Sequence, residues 1–325
     1  MRAVIHRTFG DPAEVLDVAE RPLPEPAPGE VRVRTVLSPI HNHDLWTIRG
    51  TYGFRPDLPA ASGTEAFGIV DALGEGVEGL PIGQRVATGG TFGVWAEHFV
   101  AKASGLVPVP EGIDDETAAQ MISMPFSALS LLDSLDVAPG DWIAQNTANG
   151  AVGKLLAQFA AARGVRVLGL VRRDAGVGEL AAVGIHDVVS TQDPQWRERA
   201  EAILDGARPR AAVDSVGGTA AGDLLSLLGE GGTLVSFGAM GSDTLQLSSR
   251  DLIFHQATVK GFWGSVVGRT MDAATRAALF AELVQRIGSG EVTLPVEAVY
   301  PFEEVRAAVT ATMQPGRTGK VLLRF

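Results

Sequence analysis

The stretch from Trp142 to Val171 constrains this chain more than any other. Trp142-Ile143-Ala144 is a short apolar run, followed by the glycine-containing turn Gln145-Asn146-Thr147-Ala148-Asn149-Gly150-Ala151-Val152-Gly153. Lys154 to Ala162 is amphipathic at helical spacing, and Val165 to Val171 is a second apolar run. Strand, tight turn, helix, strand is the order in which a dinucleotide site is built. The turn lets backbone amides approach a pyrophosphate, and the helix N-terminus adds partial positive charge. Asn146, Asn149, Gly150, Ala151, Val152 and Gly153 are therefore candidate cofactor-binding residues. Aligned on Gly150 and Gly153, Ala148 stands where a full G-x-G-x-x-G has its first glycine. An ordinary strand–helix turn has the same outline, so the flanking segments decide the reading.

Those segments change period along the chain. Residues 1 to about 115 are strand-rich: Glu30 to Val36 alternates with period two, and Ala66 to Leu73, Arg85 to Thr88 and Val94 to Val100 are further strands. Turns such as Gly74-Glu75-Gly76 and Leu80-Pro81-Ile82-Gly83 separate them, which predicts a small barrel-like domain. His43 to Gly50 predicts a short helix within it. From Asp114 a long apolar helix is expected through about Ser134, kinked or broken into two at Pro125. Strands at 187–189, 210–214, 232–237 and 258–263 then alternate with helices, as in a doubly wound parallel sheet. Helices follow at about 271–287 and 302–312. The last strand, Lys320 to Arg324, has no helix after it and is expected to return to the first domain. The expected division is 1–117 with 266–325 as a discontinuous β-rich domain, and 118–265 as the nucleotide domain.

Charge and cysteine content narrow the partners. A net charge of −11 disfavours nucleic acid, which needs a basic face. With no cysteine there is no disulfide, thiolate nucleophile or cysteine-based zinc site. No apolar run reaches a membrane span and Met1 to His6 reads as a strand, so a cytoplasmic protein acting on a small molecule is expected.

Arg172 and Arg173 follow the second strand of the nucleotide domain, with Arg172 nineteen residues after Gly153. An acid in this region holds a ribose 2′-hydroxyl, whereas arginine forks onto a 2′-phosphate. NADPH is the expected cofactor, though Asp174 would also serve NAD. Asp214 to Gly218 and Phe237-Gly238 end parallel strands, at the edge where ligands bind.

Taken together, these residues resemble the medium-chain dehydrogenase/reductase superfamily along the whole chain. The markers are Gly74-Glu75-Gly76-Val77 with Ile82-Gly83-Gln84-Arg85-Val86, the Gly150-x-x-Gly153 turn, and Gly319-Lys320-Val321-Leu322-Leu323. Gly50 to Pro59, Gln145 to Asn149 and Gly261-Phe262-Trp263 are similar to the zinc-free quinone oxidoreductase and mitochondrial-type 2-enoyl thioester reductase branch. The resemblance implies an α/β fold with a GroES-like β-rich catalytic domain and a Rossmann nucleotide domain. It implies a homodimer, and an NADPH-dependent reductase of an activated C=C (a 2-enoyl thioester or enone) or a quinone. Some superfamily members are instead cofactor-binding regulatory or structural proteins with little turnover. Zinc members carry a Cys and a Gly-His-Glu; here those positions hold His41 and Gly63-Thr64-Glu65. One imidazole without a second Cys or His makes no usual zinc site, so no metal is expected.

By the same resemblance, Tyr52 matches the proton donor of the enoyl reductases. The chemistry suits it, because hydride at the β-carbon leaves the α-carbon needing a proton, and a phenol holds one at neutral pH. A turn tyrosine packed under its loop is the plainer reading. His41 stands where relatives have the Asn of Asn-Pro-Ser-Asp, against His41-Asn42-His43-Asp44 here. It is a candidate for the polar lining of the pocket or for an alternative proton donor. Phe262, Trp263 and Lys320 lie near the cofactor in relatives; core packing and a solvated lysine are the alternatives. Phe237 and Gly238 complete the candidates for cofactor contact.

Overall fold

The computed structural model describes residues 1–325. The first part of the chain builds β1 (Arg2–His6), α1 (Pro12–Val15), β2 (Leu16–Glu20), β3 (Glu30–Pro39), α2 (Asn42–Arg49) and β4 (Ala60–Ala61). It continues with β5 (Glu65–Leu73), β6 (Arg85–Gly89), β7 (His98–Lys102), β8 (Val107–Pro108) and α3 (Asp115–Gln120). The alternation read at Glu30 is real: Val31, Val33 and Leu37 are fully buried while Arg34 faces water. α3 is capped by Asp114, whose carboxylate accepts from the Thr117 amide.

Next come α4 (Ser123–Asp133), β9 (Trp142–Gln145), α5 (Ala151–Ala162), β10 (Arg166–Val171), α6 (Ala175–Ala181), β11 (Val188–Ser190) and α7 (Trp196–Leu204). β12 (Ala211–Asp214), α8 (Gly218–Leu227), β13 (Thr233–Ser236), α9 (Ser249–Phe254), β14 (Thr258–Gly261), α10 (Gly264–Thr270) and α11 (Ala273–Gly288) follow. The expected long helix is two: α3 stops at Gln120 and α4 takes Pro125 into its first turn, where no amide is needed. The strands form one parallel six-stranded sheet, ordered β11-β10-β9-β12-β13-β14. Its core includes Trp142, Leu168, Leu170, Leu224 and Leu234. A buried leucine of this kind contributes about 1.5–3 kcal/mol.

The chain ends with β15 (Val296–Pro301), α12 (Val305–Met313) and β16 (Lys320–Arg324). β16 pairs antiparallel with β3 and parallel with β15, so the last strand does return to the first sheet. That sheet runs β15-β16-β3-β5-β6-β8, with β7 also on β3, and a small sheet β2-β1-β4 stands beside it. Val33, Trp95, Phe99, Val309 and Leu323 share one core.

The two compact units are Met1–Ser123 with Leu294–Phe325, and Met124–Thr293. The joints therefore fall after 123 and 293 rather than after 117 and 265. α3 packs on β3 and β5 of the first unit. α11 belongs to the second, where Phe280 stacks on Phe126 at 4.5 Å and Glu282 pairs with Arg163 at 2.7 Å. No helix is long and apolar enough to cross a membrane.

Candidate active site

In the second unit the strand order reverses between β9 and β12. A doubly wound sheet opens its crevice at the carboxyl ends of the strands beside such a reversal. Asn146 follows β9 and Asp214 ends β12 there. Asn146 donates through Nδ2 to Asp214 at 2.5 Å and accepts the Ser215 amide at 2.7 Å. Asp214 also accepts the amides of Val216 and Gly217 at 3.1 and 3.0 Å. Asn146 is buried, and these bonds clasp the two strand ends together, leaving one of its two amide hydrogens without a protein partner.

The turn itself is ready for an anion. Gly150 is the N-cap of α5, no side chain caps the helix, and its first turn carries no acid. The opening amides of a helix have no partner within it, so those of Ala151, Val152 and Gly153 form a positive end. Gly153 is required by contact: a Cβ there would lie 2.6 Å from the Thr147 carbonyl oxygen and 2.8 Å from that of Ala148. Thr147 sits at φ +48°, a left-handed conformation costly for a β-branched residue. The Gly150 amide, donating to its carbonyl at 2.7 Å, helps hold it there. Ala148 is buried against Gly169, which explains how alanine serves in place of a glycine. These features fit a dinucleotide, with the pyrophosphate at the head of α5. Asn149 lies partly exposed in the same turn.

Arg172 is exposed beyond β10, and Arg173 shares Glu179 at 3.5 Å. Both stand at the carboxyl edge. The Phe237 and Gly238 amides donate to the Asp214 carbonyl at 2.7 and 3.2 Å, so they are not free for a cofactor as expected. The Phe237 ring meets that of Phe262 at 5.9 Å, while Trp263 is 47% exposed.

The first unit holds a different kind of site. Gly63, at φ +87°, passes so close to Trp95 that a Cβ would lie 2.1 Å from its ring. That approach delivers Thr64 and Glu65 into the interior beside the start of α2. Glu65 is wholly buried; its Oε1 accepts the amides of Ile122 and Ser123 at 2.7 and 2.8 Å. Its Oε2 lies 2.6 Å from His41 Nε2, and His41 Nδ1 lies 3.1 Å from Lys320 Nζ. With Glu65 ionised, its carboxylate accepts and the ammonium donates, which makes His41 neutral with its proton on Nε2. Asp44 accepts the His41 amide at 2.9 Å and the Thr64 hydroxyl at 2.7 Å. That leaves the Thr64 oxygen to accept from His43 Nε2 at 2.7 Å. The rings continue outward: His41 stacks on His43 at 5.0 Å, His43 tilts on Tyr52 at 5.9 Å, and Tyr52 faces Trp46 at 6.5 Å. Tyr52 is half-buried.

The cluster perturbs its own titrations. Burial, the Lys320 ammonium and His43 hold His41 well below the usual imidazole range. Burial raises Glu65 to about 7, against the opposing amides of Ser123 and Ile122 and the Lys320 charge. Lys320 keeps part of its surface in solvent, yet desolvation lowers its ammonium to about 8, with Glu65 and Asp44 holding it up and Arg317 pushing it down. His41 cannot line a pocket or hand a proton to substrate, because its side chain is 0% exposed and both ring nitrogens are taken. Zinc does not fit here either. The His41 nitrogens are engaged, the Thr64 hydroxyl is bound on both sides, and a cation already lies against the ring. Glu65 was absent from the sequence candidates; an acid opening the apolar run Ala66-Phe67-Gly68-Ile69-Val70 was the signal for a buried, partnered charge.

Residues 27–111 match the alcohol dehydrogenase GroES-like domain family, and 151–282 match the zinc-binding dehydrogenase family. The mitochondrial enoyl-acyl-carrier-protein reductase of Homo sapiens is 31% identical over 99% of this chain and 88% of its own length. The chain belongs to the medium-chain dehydrogenase/reductase superfamily. Within this superfamily it falls in the quinone oxidoreductase and mitochondrial enoyl reductase branch. The Escherichia coli quinone oxidoreductase, solved with NADPH, superposes with a TM-score of 0.90 at 25% identity, covering 100% of both chains. A mycobacterial quinone oxidoreductase superposes at 0.87 with 27% identity, also covering 100% of both. The medium-chain fold accounts for the discontinuous first unit and the reversal of the second unit's sheet.

Proposed function

We propose that this protein is a zinc-independent, NADPH-dependent reductase of an activated C=C, in a 2-enoyl thioester or enone, or of a quinone. The observation that carries the reading is the uncapped head of α5 with two arginines just after the next strand. The head of α5 would hold the pyrophosphate, and Arg172 and Arg173 the 2′-phosphate. Bound NADPH supplies a hydride. The chain supplies the proton: Tyr52 delivers it to the substrate α-carbon and regains one from solvent. Phe237, Phe262 and Trp263 would pack around the cofactor, and Lys320 is the cation of the first unit's cluster.

The protein is proposed to be a homodimer. Every residue of the edge strand β14 is exposed, and Ile253 and Phe254 beside it are 66% and 73% exposed. A bare strand edge flanked by large apolar side chains calls for cover, and a second copy provides a matching edge.

The test is NADPH oxidation against 2-enoyl thioesters, enones, quinones and aldehydes. Turnover with at least one of the first three supports the reading. NADPH binding with no turnover on the whole panel would replace it with a cofactor-binding regulator.

A further inference from the structure

The mechanism above uses Tyr52 and leaves the buried chain Lys320–His41–Glu65 without a task. An ammonium has three donors, and Lys320 places one of them on His41. Its acceptor there is a neutral ring nitrogen, so no carboxylate neutralises it directly. Lys320 is half-buried as a residue and its ammonium is withdrawn from water, which leaves its remaining donors for a bound group. Behind it, Glu65 is fixed by two backbone amides and fixes in turn the tautomer of His41. A buried acid, an imidazole and a desolvated ammonium stand in line.

We propose that the Lys320 ammonium meets the negative charge that builds on the substrate carbonyl oxygen, with His41 and Glu65 as the positioning residues that aim it and keep it protonated. This rests on the reductase reading above. When an enoyl group takes a hydride at its β-carbon, the C=C electron pair moves toward the carbonyl and the oxygen becomes anionic. The α-carbon then takes a proton and the carbonyl reforms. A quinone takes one hydride and one proton to give the hydroquinone, through an anionic oxygen of the same kind. The developing oxyanion is common to both substrate classes, and a preorganised cation facing it is among the strongest aids a site can give.

Glu65 controls the charge through its hydrogen bonds. Oε1 is held by two N–H donors and must stay an acceptor. In Glu65→Gln the amide oxygen keeps that place, so the NH2 turns to His41 Nε2. His41 then carries its proton on Nδ1, facing the ammonium. A donor facing a donor favours the neutral amine, so Lys320 loses its proton at lower pH. The other groups around Lys320 are Asp44 and His43 on α2, Glu297 on β15, which holds the Thr318 and Gly319 amides, and Arg317 in the loop before β16. None of these is altered by the substitution.

The chain has lysine only at 102, 154, 260 and 320, so 13Cε-lysine NMR resolves each one, with Lys320→Met giving the assignment. Lys320 should titrate near pH 8, and about one unit or more lower in Glu65→Gln. The alkaline limb of kcat at saturating NADPH should move with it, for an enone and a quinone alike. Lys320→Met should lower kcat on both by about a hundredfold or more, with the NADPH Kd changed only a few-fold. Lys320 titrating with the exposed lysines, or Lys320→Met raising the NADPH Kd while sparing kcat, overturns the proposal and makes Lys320 a cofactor clamp. If Glu65→Gln does not fold, Lys320→Met at its partly exposed position decides the matter through the kcat and Kd comparison. Wild-type protein that turns over no acceptor defeats the reductase reading instead, and the NMR titration still reports on the Lys320–Glu65 coupling.

Discussion

Gly153→Ala tests the cofactor turn at its tightest point. The new methyl carbon would stand 2.6 Å from the Thr147 oxygen, 2.8 Å from the Ala148 oxygen and 2.9 Å from the Ala148 Cα. All three are backbone atoms, so no side chain can swing away. Restoring an ordinary contact of about 3.5 Å moves the turn and α5 apart by roughly 0.9 Å. Overpacking of this kind costs about 1–3 kcal/mol, and three backbone contacts put the cost near the upper end. Alanine returns about 1 kcal/mol of helix propensity. The net loss is about 2 kcal/mol, a fall in Tm of roughly 4–8 °C for a unit of this size. The same displacement takes a phosphate oxygen out of reach of an α5 amide. Losing one charge-assisted hydrogen bond costs about 1.5–3 kcal/mol, or roughly ten- to a hundredfold in NADPH Kd. Two controls bracket the effect. Gly150→Ala brings its Cβ to 3.1 Å of one carbonyl oxygen, and Gly178→Ala in α6 meets nothing within 4 Å. Thermal melting and NADPH fluorescence titration should rank Gly153→Ala worst, Gly150→Ala intermediate and Gly178→Ala neutral or stabilised. Gly153→Ala that melts with Gly178→Ala and binds NADPH normally would refute the steric argument.

Alanine at both Arg172 and Arg173 should raise the KM for NADPH about ten- to a hundredfold and leave NADH nearly unchanged; equal effects on the two cofactors rule out a 2′-phosphate contact. Arg172→Ala alone should have the larger effect, since Arg173 already shares its charge with Glu179. Tyr52→Phe should slow enoyl reduction by about a hundredfold and quinone reduction much less, read from kcat on each substrate; a uniform loss points to packing. Phe254→Asp with Val259→Asp should give a monomer by analytical ultracentrifugation if β14 is the dimer edge; an unchanged mass removes that interface.

How far the sequence could be read depended on sequence distance. The turn from Gln145 to Gly153 was legible because its glycine and the apolar runs around it are local signals. The return of Lys320 to Arg324 was legible because a strand without a following helix must find an older sheet. The joints were not: α11 is amphipathic wherever it packs, and only Phe126–Phe280 and Arg163–Glu282, pairs more than a hundred residues apart, assign it to the second unit. His41 looked like a pocket residue because nothing nearby announced that Glu65 and Lys320 would close on its two nitrogens. The clasp at Asn146 was hidden because its partner, Asp214, lies on a strand whose neighbour in the sheet the chain does not reveal.

The position of Lys320 in the chain also bears on biosynthesis. Its partners, His41 and Glu65, are translated early, and the whole of residues 124–293 is made before Lys320 exists. Until then the buried His41 ring lacks the Lys320 ammonium and β3 lacks β16 along one edge. A ribosome-bound chain can finish the dinucleotide sheet while the cation of the other unit is still missing. Enzymatic competence would then switch on after that sheet is complete, and nascent fragments would bind cofactor without consuming it.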